Sequence, residues 1–186
     1  LHIAGAVNVP TRADFAAANI AGTQGVIEAA RATGAPRFVH VSSLAVHHPA
    51  LSHYGWSKAE AEQLVADSGL PFAVVRPPAI YGPRDTDMLE LFRMAARGFV
   101  LLPPPGRASI IHVEDLARLL VRLCTMPDPP ALTEPSDGAP GGYAHVELAQ
   151  AVGRAVGRQQ VRTLSAPAWL LGLAARGDRL VRGAKA

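Results

Sequence analysis

RFVHVSSLAVHHPALSHYGWSKAEAEQLVADSGLPFAVVRP, residues 37–77, holds the pattern that decides the fold. Its two ends, RFVHVSS (37–43) and PFAVVRP (71–77), are short apolar runs rich in β-branched and aromatic residues, and they read as strands. Between them SHYGWSKAEAEQLVADSG (52–69) reads as a helix, with Ser52 as its N-cap and Gly69 as its stop. A strand, a helix and a second strand in one run form a crossover unit, which joins parallel strands right-handedly. Within the helix Tyr54 and Lys58 stand four apart, in a chain with only three tyrosines.

The same alternation continues in both directions. Upstream, LHIAGAV (1–7) reads as a buried strand that ends at Asn8 and Pro10. ADFAAANIAGTQGVIEAARATG (13–34) then carries apolar residues at helical spacing, with Gly34 as a natural C′ residue. Downstream, TDMLELFRMAARG (86–98) predicts a helix, ASIIHV (108–113) a strand and VEDLARLLVRLCTM (113–126) a helix. Strands alternating with helices predict an α/β fold, a doubly wound parallel sheet with helices on both faces. PDPPALTEPSDGAPGG (127–142) reads as a Pro/Gly-rich loop. It precedes a helix in HVELAQAVGRAVG (145–157), a short strand in QQVRTL (159–164) and an amphipathic helix in PAWLLGLAARGDRLVRG (167–183). That last segment suits a lid, a dimer element or packing on the sheet. Arg176, Arg179 and Arg182 read first as a solvated face.

Bulk properties bound the class. The 186 residues suffice for one domain, or one domain and part of another, and 49% apolar composition supplies a core. A net charge of +3 and 5% aromatic residues argue against nucleic-acid binding, since neither a charged face nor a base-stacking platform is available. The single cysteine, Cys124, lies in the apolar run LARLLVRLCTM and reads as a buried small hydrophobe, which fits a reducing cytoplasm. No run of about 18 apolar residues predicts a membrane span. The start of the chain lacks Met and opens in a strand, and its end carries no stop signal, so a fragment is expected at both ends.

In an open α/β sheet, ligands bind outside the carboxyl ends of the strands. Here those ends carry AGAV, SSLAV and RPPAIYGPRD. Tyr54 and Lys58 share a helix face, so both can face one crevice with Ser43. A phenol, with a free pKa of about 10, is a poor base, and a lysine ammonium nearby favours its ionised form. A serine hydroxyl can then hold the substrate oxygen while Tyr54 gives or takes a proton at a carbinol. A tyrosine and a lysine four apart also occur by chance on many helices.

The order of HIAGAV, NIAGTQGVIEAARATGAPRFVHVSS, YGWSK, VVRPPAIYGPRD and IIHVEDLA resembles the short-chain dehydrogenase/reductase superfamily. More narrowly, it resembles the extended branch of NAD-dependent epimerases and dehydratases, over nearly all of residues 1 to about 120. YGWSK is similar to the Y-x-x-x-K pattern of that branch, and RPPAIYGP to its R-P-x-x-x-Y-G-P turn. The resemblance implies Tyr54 as general acid/base, Lys58 as ribose ligand and modulator of Tyr54, and Ser43, rather than Ser42, as the hydroxyl on the substrate oxygen. Ala4, Gly5, Ser42 and the run Pro77, Pro78, Ala79, Ile80 would lie along NAD or NADP. Asn19 would sit at a helix kink beside the site. His112 and Asp115 would support the substrate side, Asp115 being equally a partner of a helix dipole. Arg76 would be structural. The implied substrate is a small-molecule carbonyl or alcohol, or a nucleotide-sugar. The implied assembly is a homodimer through the helices FAAANIAGTQ and YGWSKAEAEQ.

The domain organisation expected is a partial NAD(P)-binding domain over 1–126, its first units missing and its substrate-side elements starting at about 78. A C-terminal substrate region over 127–186 follows. The pattern also departs from the branch. The Gly-rich phosphate loop G-x-x-G-x-x-G is absent, and with it the residue that separates NAD from NADP. Only 11 positions separate Ser43 and Tyr54, and His47 replaces a tyrosine. The shorter loop leaves room for a steroid-like, flavonoid-like or lipid-derived carbonyl. His47, His48 and His53 have no carboxylate or Cys partner in sequence and predict no metal. His40 reads as a satisfied core histidine and His2 as structural. Two rival readings remain. One is a non-catalytic NAD(P)-binding or sensing member of the fold; the other is an inactive truncated fragment.

Overall fold

The computed structural model describes residues 1–167. In chain order its α-helices are α1 Arg12–Phe15, α2 Gly22–Ala32, α3 His53–Ala66, α4 Thr86–Ala96, α5 Val113–Thr125 and α6 His145–Ala155. The strands are β1 Phe38–Val41, β2 Phe72–Val75, β3 Ala79–Tyr81, β4 Phe99–Leu102, β5 Arg107–Ala108, β6 Ile110–His112, β7 Leu132–Thr133, β8 Tyr143–Ala144 and β9 Arg162–Ser165. The chain divides into two compact units: Leu1–Pro78 with Glu114–Pro135, and Ala79–Val113 with the residues from Ser136 onward.

The first unit is built on a parallel sheet in the order β1-β2-β7. β1 is buried along its whole length, as a parallel strand covered on both faces must be. One face packs Phe38 and Val74 against Ile27 of α2 and Val65 of α3. Val39, Val41, Ala73 and Val75, alternating with these along the strands, are buried as well. α5 buries Leu116, Leu120 and Leu123, and Arg37 ties its end to the start of β1 by donating to the carbonyls of Leu123 (3.1 Å) and Met126 (2.6 Å). Ser52 caps α3 as expected, its hydroxyl accepting the Gly55 N–H at 2.9 Å. Gly34 (φ +65°) and Gly69 (φ +71°) take the left-handed conformation just past their helices.

Three expectations are corrected in this unit. LHIAGAV is not a buried strand. Only His2 pairs with the sheet, through bonds to Val39 and Val41 at 2.8 and 3.0 Å, while Leu1, Ile3 and Val7 are exposed. The segment lies on an open edge, with no strand on its far side among the described residues. Cys124 is exposed, because it follows the buried Leu123 on α5 and so turns away from the sheet. The first long helix begins at Arg12 rather than 13, where Thr11 and Asp14 form a reciprocal capping box, and it is not uniformly α. Residues Ala16–Ala21 between α1 and α2 form a π-helical turn.

The second unit contains the two-stranded parallel sheets β3-β6 and β4-β9 and the antiparallel pair β5-β8. Its core gathers Ala95 of α4, Val100 and Leu102 of β4, Ala149 and Val152 of α6, and Val161. Gly153 is required there, since a Cβ would stand 2.2 Å from Val161 Cγ2. The run RPPAIYGPRD, read as one turn, contains a strand. Ala79, Ile80 and Tyr81 pair in register with Ile110, Ile111 and His112. The amphipathic helix expected over 167–183 falls outside the described residues.

Candidate active site

Tyr54 occupies the first turn of α3, and the sequence around it explains why that turn lies against the segment after β1. After β1 the chain makes a 3₁₀ turn, Leu44–His47, capped by the Ser43 hydroxyl, which accepts the Ala45 N–H at 3.2 Å. Gly55 lies against this turn. A Cβ there would stand 2.8 Å from the Ala45 carbonyl oxygen and 3.2 Å from Ser52 Oγ. A glycine directly after Tyr54 thus lets two backbones meet, one bearing Ser43 and the other Tyr54. The Tyr54 ring packs on Phe15 at 6.2 Å between centroids, and the Arg12 guanidinium lies 3.9 Å over the Trp56 ring.

Lys58, one turn further on, is 5% exposed. Its ammonium donates to the Val41 carbonyl at 2.7 Å. Burial pushes its pKa down to about 8, against the opposing pull of Glu62. Asn19, 2% exposed, comes from the π-helical turn, whose extra residue redirects side chains relative to an α-helix. Its side-chain oxygen accepts the Ala6 N–H at 2.7 Å, and its amide donates to the Ala6 carbonyl at 3.0 Å and to Ser57 Oγ at 2.9 Å. Ser57 in turn donates to the Tyr54 carbonyl at 2.8 Å. A Cβ on Gly5 would lie 2.9 Å from Asn19 Oδ1 and 3.8 Å from Lys58 Nζ. The structure therefore brings Gly5, Ala6, Asn19, Ser57 and Lys58 into one packed cluster beneath Tyr54.

The remaining predicted residues fall as follows. Ser42 is buried and its hydroxyl has no partner, while Ala4 is exposed. Pro77 stays beside the serine turn, its carbonyl accepting the Leu44 N–H at 3.1 Å, and Pro78 closes the first unit. Ala79, Ile80 and His112 belong to the second unit; the His112 ring stands edge-on to Tyr81 at 5.2 Å. Asp115 lies in the first turn of α5, paired with Arg118 at 2.5 Å.

Arg76, expected to be structural, is clamped by Glu62 at 2.7 Å and by Glu134 at 3.1 Å, and both hold it more firmly protonated. Glu134 also meets His47 at 2.8 Å. Burial alone would raise the Glu134 pKa, but Arg76 and His47 together lower it. His40 is fully buried, yet neither ring nitrogen has a hydrogen-bond partner, which corrects the expectation of a satisfied histidine. Burial, then the charge of Lys58, then His2 push its pKa down to about 3. Sequence reasoning missed Gly55, Ser57 and Glu134. The first two were signalled by small residues inside YGWSK; Glu134 lies in a Pro-rich loop with no local signal.

The second unit holds an open cavity of about 410 Å³. Its walls include Tyr81, Gly82, Met88, Leu89, Phe92 and His112.

A parallel sheet with helices of this order defines a Rossmann-type α/β fold. The model of the NAD dependent epimerase/dehydratase family matches residues 2–133, and the chain belongs to that family. It is 43% identical over 159 residues to a ceramide reductase of Caulobacter vibrioides, covering 84% of this chain and 50% of that protein. It is 31% identical over 128 residues to a UDP-glucose 4-epimerase of Vibrio cholerae, covering 55% of this chain and 38% of that protein. The chain thus spans half the length of these curated relatives or less. The Bordetella bronchiseptica enzyme WbmG, solved with NAD and UDP, superposes with a TM-score of 0.75 at 20% identity, over 90% of this chain and 59% of that one. Among the described residues, no helix is long and apolar enough to cross a membrane.

Proposed function

We propose that this chain carries the acid–base half of a NAD(P)-dependent reductase that converts a carbonyl to a carbinol. A bound reduced nicotinamide would supply the hydride for the carbonyl carbon, becoming NAD(P)⁺. Tyr54 gives its phenolic proton to the carbonyl oxygen, and Ser43 holds that oxygen by a hydrogen bond. Lys58 uses one N–H on the Val41 carbonyl and keeps two for hydroxyl acceptors, which is what a ribose diol presents. Ala4, Gly5, Ser42, Pro77 and Pro78 of the first unit would line the cofactor, while Asn19 positions Ser57 and the first turn of α3.

The observation that carries this reading is Lys58. A lysine that is almost fully buried and bonded to a single carbonyl costs stability, and it stands one turn from Tyr54. A lysine held this way serves a bound ribose, and its place one turn from Tyr54 on the same helix face joins that role to the acid–base group. The likeness to a ceramide reductase favours a reductase over an epimerase and a lipid-type carbonyl over a nucleotide-sugar. The same reading places the cofactor domain in 1–126, with substrate elements from about 78 and through 127–186. It places the protein in the cytoplasm, as a homodimer through the helices FAAANIAGTQ (15–24) and YGWSKAEAEQ (54–63).

Tyr54→Phe in the full-length protein tests it. Carbonyl-dependent oxidation of NAD(P)H should fall by about 100-fold or more, while nicotinamide fluorescence titrations stay unchanged. Turnover that survives the substitution would sink the assignment.

A further inference from the structure

Four side chains of the first unit, Glu62, Arg76, Glu134 and His47, form one continuous run of ion pairs. Glu62 lies one turn beyond Lys58 on α3, on the same helix face. Arg76 meets it as a fork, through Nε at 3.0 and 3.2 Å and a terminal nitrogen at 2.7 Å. A bidentate pair of this kind fixes orientation as well as distance. The backbone delivers Glu134 to the other side of Arg76, because β7 pairs with β2 and the Arg76 N–H donates to the Thr133 carbonyl at 2.9 Å. His47 ends the 3₁₀ turn that Ser43 caps. A carboxylate can only accept, so His47 Nε2 is the donor in its 2.8 Å bond to Glu134 Oε1, whether the ring is neutral or charged. The same oxygen accepts from Arg76 at 3.1 Å. An isolated pair as open to solvent as His47 and Glu134, 48% and 37% exposed, would hold little. Here the carboxylate is already anchored by Arg76, so only the His47 ring must be ordered to close the link. The Leu44 N–H, on the Pro77 carbonyl at 3.1 Å, ties the start of the turn, and His47 ties its far end.

We infer that Glu134 and His47 are positioning residues, which hold the far end of the serine turn to α3 through Arg76 and so keep the Ser43 hydroxyl set against Tyr54. The inference rests on the reductase reading above, and both residues act through Ser43 rather than on the substrate. In the full-length protein, with long-chain ketones as probes, His47→Ala and Glu134→Ala should each lower kcat by about tenfold, with the KM for NAD(P)H unchanged. The double variant should lose no more than the worse single variant, because each substitution breaks the same link. His47→Gln, whose side-chain amide can donate to Glu134, should recover most of the rate. Arg93→Ala, which breaks an exposed ion pair on α4, should leave kcat unchanged. Hydrogen exchange gives a readout apart from turnover. The Ala45 and His48 amides, bonded within the serine turn, should exchange faster in both alanine variants. Exchange that stays slow in them, or faster exchange with kcat intact, overturns the inference and leaves the reductase standing. Rate losses that add in the double variant, or an equal loss in Arg93→Ala, overturn it as well. If exchange responds but the unsubstituted protein reduces no ketone, the reductase reading falls and the tie between Glu134 and the serine turn stands.

Discussion

At the scale of single residues, the buried titratable groups set the most direct predictions. Lys58 has a pKa near 8 in the folded chain, against 10.5 ordinarily. The unfolded chain therefore binds the extra proton between those values, and stability rises as pH climbs through that window. Below it the full penalty applies, about 3 kcal/mol by the size of the shift. Lys58→Met should raise the melting temperature at pH 7 while removing turnover, and the gain should shrink as the pH approaches 10. His40 behaves in the acid range. Its folded pKa of about 3 lies below the ordinary 6.5, so stability is lost as pH falls below about 6.5, by up to about 1.4 kcal/mol per unit. His40→Phe should flatten the melting-temperature profile between pH 6.5 and 4. A profile as steep as that of the unsubstituted chain would show that another group is responsible. His2 also has a lowered pKa, from burial first and Lys58 second, and it donates from Nε2 to Thr23 Oγ1 at 3.0 Å. Replacing His2 by Phe together with His40→Phe should therefore flatten the profile further.

At the scale of elements, the glycine contacts matter more than helix propensity. Gly55→Ala would drive a methyl group against the Ala45 carbonyl, and backbone cannot yield as a flexible side chain can. A loss of about 1–3 kcal/mol is expected, with turnover falling further than stability because Ser43 and Tyr54 move apart. Urea melts and steady-state rates on the same variant check both. The elements also show what could be read beforehand. Ser52, Gly34 and Gly69 announce helix ends by local chemistry, and local chemistry is what a sequence displays. The π turn at Ala16–Ala21 was not legible, because ADFAAANIAG satisfies α periodicity about as well. Asn19 was legible as a kink residue only through the resemblance. Its bonds to Ala6 and Ser57 join positions 13 and 38 residues apart, which no window of sequence reveals. The edge position of LHIAGAV escaped for the same reason, since an apolar run looks alike in the middle of a sheet and at its rim.

At the scale of the whole molecule, the α/β class followed from alternation, but the division of the chain did not. Glu114–Pro135 returns to the first unit and supplies both α5 and β7. A chain cut after residue 113 loses the β7 strand beside β2 and the bonds from Arg37 to the end of α5. It should unfold without a sharp urea transition, whereas residues 1–186 should unfold cooperatively. The first unit also loses Glu134 in that cut, and with it one of the two carboxylates that hold Arg76.

That discontinuous layout bears on how one unit could be exchanged between relatives. Residues 79–113 leave and re-enter the first unit at Pro78 and Glu114, like an insert in a host. The insert is not self-sufficient, because β4 pairs with β9 and β5 with β8, both from beyond Ser136. A chimera that exchanges only 79–113 would mismatch those strands. One that exchanges 79–113 together with the chain from 136 onward would carry its own partners and leave the tyrosine, the lysine and their host sheet untouched. Exchange of the second unit between relatives therefore requires both of its segments together.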